Sequence, residues 1–271
     1  MIWRCPNCQK PLSQPQTSQL RCEAGHCFDV AKQGYANLLL ANQKKSKAPG
    51  DNAEMVVARR RFLEAGHYQF LVDRIHQLID GASLPEAAFA DLGCGEGYYL
   101  NQLTAQRAKF ESSAYGIDIS KEAIKKAASK YKLANFAVAS SYNIPLLDES
   151  VNIAMSIFAP FSSAEVIRIL KNDGKFIRVS PAAEHLNELK ARLYPAANQH
   201  DIPEPIEGLH LEQRDDIRQL IKLESSQQIQ DLLSMTPFNW HGDQEEKSRL
   251  IEEEFFQATA HFHLDVMVKR T

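Results

Sequence analysis

Ala88-Phe89-Ala90-Asp91-Leu92-Gly93-Cys94-Gly95-Glu96-Gly97-Tyr98 is the stretch that decides the fold. A short apolar run ends in an acid, three glycines follow at alternate positions, and a helical segment opens at Tyr98. Glycines at such a turn let the backbone bend sharply and let a ligand come up against the main chain. The spacing is GxGxG, which differs from the GxGxxG of dinucleotide loops. Asp118 lies 21 residues beyond Gly97, at the end of the next strand-like run, Tyr115-Gly116-Ile117-Asp118. An acid at that point can accept hydrogen bonds from both hydroxyls of a ribose. Asp91, the loop and Asp118 all fall at the carboxyl edge of a sheet, where open α/β folds bind ligands.

Outward from this stretch, apolar runs at 114–119, 136–139, 151–158 and 175–179 alternate with polar or helical segments, including a helix over 121–132. The alternation predicts an α/β fold: a Rossmann-like, doubly wound, mostly parallel sheet covered by helices on both faces. Residues 181–250 read as mostly helical with Pro-rich interruptions, and 261–268 as a final antiparallel strand. Upstream, Asp51 reads as a helix N-cap with Glu54 three residues on. Met55, Ala58, Phe62 and Leu63 share one helical face, and Leu71, Ile75, Leu78 and Ile79 another. The expected domains are a zinc-binding module at 1–40, a basic connector with helices at 41–84, and an α/β domain at 85–271.

Four of the five cysteines lie within the first 27 residues, as Cys5-Pro6-Asn7-Cys8, then Cys22, with His26 and Cys27 beside it. CxxC followed by CxxxH supplies the four soft or borderline ligands of a tetrahedral zinc site. Four protein ligands leave no position for substrate, so the zinc is structural. Cys27 competes with His26 for the fourth place. A redox CxxC would need a βαβ context that residues 1–30 lack. Metal binding also explains how forty residues with little core stay folded.

The 271 residues are 44% apolar, enough for a core, and 31 Lys/Arg nearly balance 34 Asp/Glu. Collagenous, disordered and membrane-spanning classes are excluded. The start, Met1-Ile2-Trp3-Arg4-Cys5, carries no hydrophobic signal core, so a cytoplasmic location is expected. Charge is uneven: residues 1–62 hold ten Lys/Arg against four Asp/Glu, leaving the rest acidic. Such asymmetry suggests that the basic part, with Trp3, Phe28 and Tyr35 among its cations, faces a polyanion.

The loop Asp91-Leu92-Gly93-Cys94-Gly95-Glu96-Gly97 resembles the S-adenosylmethionine loop of class I methyltransferases. With the cysteine module and the segments 47–55, 58–68, 91–99 and 235–240, the chain resembles the ribosomal large-subunit RNA (guanine-N1)-methyltransferases. That resemblance implies methyl transfer to guanine N1 in a hairpin loop of 23S rRNA near the peptide exit tunnel, a homodimer and no membrane. It assigns zinc to Cys5, Cys8, Cys22 and His26, and cofactor contacts to Tyr68, Gly97, Tyr98 and His185, beside Gly93, Gly95 and Asp118 of the loop reading. Sequence alone reads Tyr68 equally as core and His185 as a surface histidine. The segment Ser156-Ile157-Phe158-Ala159-Pro160-Phe161 carries no carboxylate, so no general base is named there; Phe158 and Phe161 are candidates to stack an extruded base. Two rivals are a methyltransferase of a small molecule or protein, and a non-catalytic, zinc-stabilised nucleic-acid-binding protein.

Overall fold

The computed structural model describes residues 1–43, 49–80, 87–105, 113–195, 200–239 and 242–270. The chain opens with strands β1 (Leu12–Gln16), β2 (Gln19–Cys22), β3 (Cys27–Asp29) and β4 (Tyr35–Asn37), then helices α1 (Ala53–Glu64) and α2 (Gln69–Asp80). The α/β part continues as β5 (Ala88–Leu92), α3 (Tyr98–Ala105), β6 (Ser113–Asp118), α4 (Lys121–Lys130), β7 (Ala134–Val138), β8 (Val151–Ile157), α5 (Ser163–Ile169) and β9 (Leu170–Pro181). It closes with α6 (Asn187–Leu193), β10 (His210–Leu223), α7 (Ser226–Ser234), α8 (Gln244–Leu250) and β11 (Phe256–Val268).

β1, β2 and β3 form a small antiparallel sheet. Among the described residues the large sheet has eight strands in the order β10-β11-β9-β8-β5-β6-β7-β4. Its middle is parallel, and β11 runs antiparallel between β9 and β10. The chain winds from β5 outward to β7, then returns to build β8 and β9 on the other side. That reversal opens a crevice between the carboxyl ends of β5 and β8. β5 is buried along its whole length, as a strand covered on both faces must be.

Two local expectations change. The first helix is capped by Asn52, whose side chain accepts from the Met55 amide, whereas Asp51 forms an ion pair with Arg59. Residues 210–223, read as helical, are the edge strand β10. Its charged sequence follows from its place: β10 pairs along its length with β11 and buries only Ile221 and Leu223, so no apolar alternation was needed.

The cysteine module is stitched to the large sheet. β4, which lies within 1–40, pairs in parallel with β7 through Tyr35↔Phe136 and Ala36↔Ala137. Trp3 packs edge-on against Tyr115 of β6, at 5.1 Å between centroids, and the Ile2 amide donates to the Tyr115 hydroxyl at 3.1 Å. Trp3, Leu12 and Leu20 of the module share one apolar cluster with Tyr115, Ile144 and Leu146.

Candidate active site and metal centre

The crevice at the carboxyl ends of β5, β6, β8 and β9 opens into a cavity of about 1170 Å³. The glycine loop forms one wall. Gly93 and Cys94 both donate their amides to the Ile117 carbonyl at 2.9 Å, which ties the loop to β6. Asp118 accepts from the Gly95 amide at 2.9 Å and the Ser120 amide at 2.7 Å. A carboxylate has about four acceptor positions, so two remain for a ligand. Gly93 has φ +84°, and a Cβ there would run into Ala159, so the loop lies directly against the turn after β8. Arg59 pairs with Asp51 and donates to the Met235 carbonyl at 3.4 Å, which fixes α1 over the loop.

Of the seven residues expected to hold the cofactor, Tyr68, Gly93, Gly95, Tyr98, Asp118 and His185 line this cavity. Gly97 does not. Its φ is +84°, and a Cβ would stand 3.1 Å from Ala127 and Tyr131 and 3.2 Å from Phe136. Its bare backbone therefore lets α3 close onto α4 and β7, a packing role one step from the ligand. Tyr98 donates its hydroxyl to Gln69 Oε1 at 3.2 Å. Tyr68 is buried, edge-on to Phe62 at 5.0 Å and to Phe262 at 5.1 Å, and burial pushes its phenol above the ordinary range.

Phe158 and His185 form the opposite wall. Phe158, directly after β8, has φ +56° and stays 41% exposed. A bulky side chain held in that region costs of order 1–3 kcal/mol, a strain that clusters where geometry serves a ligand. Its amide donates to the Val179 carbonyl at 3.0 Å, and Ser156 Oγ donates to the Ala159 carbonyl at 2.9 Å to close the turn. The His185 ring lies nearly parallel to Phe158, with centroids 6.3 Å apart and 14° between planes. Burial, with Lys190 and His200 nearby, pushes His185 down to about 3, so it is neutral at ordinary pH. Phe161 also lines the cavity, half-buried and edge-on to Phe176 at 4.9 Å.

Among the described residues, five buried polar atoms on the cavity's residues lack a hydrogen-bond partner: Asp91 Oδ2, Glu96 Oε1, Tyr99 hydroxyl, Ser180 Oγ and Lys190 Nζ. Buried polar groups are rarely left so, and these five belong to one site. Asp91 is only 1% exposed, and burial, reinforced by the charge of Asp118, pushes its carboxyl up to about 8. Burial also raises Asp118, against the pull of its two amide donors. An uncommitted acid beside a glycine loop, a strand-end acid with free acceptor positions, and the apolar Ile119 and Ala139 on the wall suit S-adenosylmethionine. They match its ammonium, its ribose diol and its adenine respectively. Ser180 and Lys190 escaped the sequence reading, because a serine at a strand end and a lysine in a polar helix carry no burial signal.

In the N-terminal module the ligand atoms of Cys5, Cys8, Cys22 and His26 all lie within 4.8 Å of one another. Cys8 and Cys22 sulfurs are 3.6 Å apart, and His26 Nδ1 is 3.4 Å from Cys22 Sγ and 3.7 Å from Cys5 Sγ. Such convergence of three thiols and an imidazole fits a tetrahedral zinc. Cys27 is exposed and donates to the Gly25 carbonyl at 3.4 Å, apart from the four. Outside the described residues lie Lys44, Lys45, Lys47 and Trp240.

The RlmA N-terminal zinc-ribbon family matches residues 3–47, and a methyltransferase domain family matches residues 85–233. A Streptomyces fradiae 23S rRNA (guanine(748)-N1)-methyltransferase is 34% identical over 92% of this chain and 90% of its own length. A Bacillus subtilis protein provisionally named as a 23S rRNA (guanine-N1)-methyltransferase is also 34% identical, over 93% of this chain and 91% of its own. Among solved structures, a chain from the complex of the Haloferax volcanii Trm112 methyltransferase activator with a methyltransferase aligns at TM-score 0.51 and 19% identity. It covers 83% of this chain and 100% of its own. That likeness speaks for the fold, a class I methyltransferase sheet. The zinc-ribbon module, the glycine-loop cavity and end-to-end likeness to these relatives converge: the chain belongs to the 23S rRNA (guanine-N1)-methyltransferase family.

Proposed function

We infer that the protein transfers the methyl group of S-adenosylmethionine to N1 of a guanine in a hairpin loop of 23S rRNA. One observation carries the reading beyond its relatives. A single cavity of about 1170 Å³ is lined both by the glycine loop and Asp118 and by Phe158 and His185, so cofactor and extruded base would share one chamber. S-adenosylmethionine supplies a methyl group already activated as an electrophile, so the protein's work is alignment and exclusion of water. Gly93, Gly95 and Tyr98 hold the cofactor, Asp118 takes its ribose, and Tyr68 closes the cavity from above the aromatic cluster. Phe158 stacks the base, which must leave its helix or loop to be reached. Gly97 serves by packing.

Cys5, Cys8, Cys22 and His26 bind one structural zinc in this reading, and the module they fold contacts the RNA. A ribosomal RNA substrate implies a cytoplasmic enzyme, and no helix among the described residues is long and apolar enough to cross a membrane. The homodimer implied by the family resemblance belongs to the same reading and is checked by sedimentation. The decisive experiment is transfer of a tritiated methyl group to protein-free rRNA, followed by primer extension. Methylation at N1 blocks the Watson–Crick edge, so reverse transcriptase should stop one nucleotide before the modified guanine. Incorporated label without such a stop would sink the assignment to N1.

A further inference from the structure

The cavity's unpartnered atoms fall into two groups. Asp91 Oδ2, Glu96 Oε1 and Tyr99 hydroxyl belong to the glycine-loop half. Ser180 Oγ, near the end of β9, and Lys190 Nζ, on α6, belong to the half that carries Phe158 and His185. Lys190 is only 5% exposed, and among the described residues no carboxylate pairs with it. A lone buried ammonium is costly, so such a group either loses its proton or awaits a partner. Burial does push the Lys190 amine below the ordinary lysine range.

The chemistry on the target side has a matching need. Guanine N1 carries a proton, and its lone pair is tied into the ring until that proton leaves. The turn after β8 offers no carboxylate to take it, and His185 is pushed down to about 3, far too weak a base. The other groups around Lys190 do not serve either. His200 is also lowered by burial, and Arg178 is committed to Asp265 and the Glu204 carbonyl. His261, near His185 on β11, is held by Asp216. On α8, packed against α6, Glu246 is bound by Arg192 and Arg249, and Lys247 is a second buried cation. Tyr194, the residue after α6, lies on the same wall and packs against Phe238 at 5.9 Å.

We propose that the ε-amine of Lys190 is the catalytic residue that accepts the N1 proton of the target guanine. This rests on the guanine-N1 reading above. N1 keeps the electron pair of its N–H bond and uses it to form the new N1–methyl bond. The methyl–sulfur bond breaks with its electrons left on sulfur, which becomes a neutral thioether. Nζ takes the proton, becomes an ammonium, and returns it to water after product leaves. Ser180 Oγ, also unpartnered on a residue that lines the cavity, is free to hydrogen-bond the same base.

The test is single-turnover methyl transfer to protein-free rRNA between about pH 6 and 9, comparing the parent with Lys190→Met and Lys190→Arg. Lys190→Met should be slower by about 10²–10⁴-fold, the usual worth of a general base. Its affinities for S-adenosylmethionine and for rRNA should match the parent's. Lys190→Arg should fail to rescue, because a guanidinium keeps charge but cannot take the proton. The parent's rate should level off once the amine is neutral, while the Met variant's should keep climbing with guanine's own ionisation. Lys190→Gln serves the same comparison if the Met variant loses cofactor affinity through misfolding. A Met variant within about threefold of the parent overturns the proposal. So does rescue by Arg, which would make Lys190 a fixed charge, or a loss confined to rRNA affinity. A parent that methylates without an N1 stop overturns the activity assignment and the proposal together; a parent with the stop beside an equally active variant overturns the proposal alone.

Discussion

Replacing Asp91 by Asn should remove most of one pH dependence from the stability of the cofactor-free protein, and the size of the effect follows from where Asp91 sits. It lies near the end of β5, is buried, and leaves Oδ2 without a partner beside the charge of Asp118. Its carboxyl titrates near pH 8, against 3.8 for an ordinary aspartate. The folded protein therefore holds this proton more tightly than the unfolded chain does. The stabilisation from that proton is complete below about pH 4 and drains away as pH rises toward about 8. Across that interval parent and Asp91→Asn should diverge by about 1.4 kcal/mol per pH unit, the variant becoming relatively more stable.

Urea unfolding from about pH 5.5 to 7.5 reads this as a gap that widens by roughly 3 kcal/mol. Other titrating groups cancel in the difference. Saturating S-adenosylmethionine should narrow the gap, because a cation beside Oδ2 offsets the burial of the charge. Parallel stability profiles for the two proteins would refute the reasoning: Asp91 would then be ionised at little cost, its second oxygen satisfied by water in the cavity.

Asp118→Ala should weaken S-adenosylmethionine by about 1.5–3 kcal/mol in calorimetry, and lower thermal stability as well, since the Gly95 and Ser120 amides lose their acceptor. Gly97→Ala should behave differently: the new Cβ presses on Ala127, Tyr131 and Phe136 at a left-handed φ, costing about 1–3 kcal/mol of stability with cofactor affinity nearly unchanged. Elemental analysis should find one zinc per chain; Cys27→Ser should retain it and His26→Ala should lose it, because Cys27 stands apart from the four converging side chains.

The parallel sheet was legible because its strands are buried on both faces and must be apolar, as β5 and β8 are almost throughout. β10 was not, because an edge strand needs only a partner for its backbone, and β11 supplies that whatever the side chains are. The glycine loop and Asp118 announce themselves by spacing, since turn geometry constrains residue type locally. Lys190 and Ser180 could not be found that way: their isolation arises from packing among α6, β9 and β11, segments far apart in the chain. β4 was hidden for the same reason. Three residues reading Tyr-Ala-Asn become a strand only because the edge of β7 stands ready to pair with them.

The basic N-terminal segment turns out to use much of its charge inside the molecule. Arg4 reaches Asp148 and Glu165, Arg60 reaches Glu96, and Arg61 reaches Asp231, so these cations bind the first 62 residues to the acidic remainder. Arg59 and Lys10 are paired with Asp51 and Glu23 within the segment itself. Part of the charge asymmetry is thus complementarity within the fold. Exposed Arg21 and Lys32 remain on the module, together with Lys44, Lys45 and Lys47 of the connector, which lie outside the described residues. If the module meets rRNA, these five carry most of the phosphate neutralisation from this region. Replacing the three connector lysines by alanine should then lower the slope of log affinity against log salt by about 2–3, at roughly 0.7–0.9 for each phosphate no longer neutralised. Cofactor affinity should not move, because the glycine loop and Asp118 are built from β5 and β6. A triple variant that binds rRNA with the parent's salt slope would mean that the connector touches no phosphate, and that RNA is held by another face of the protein.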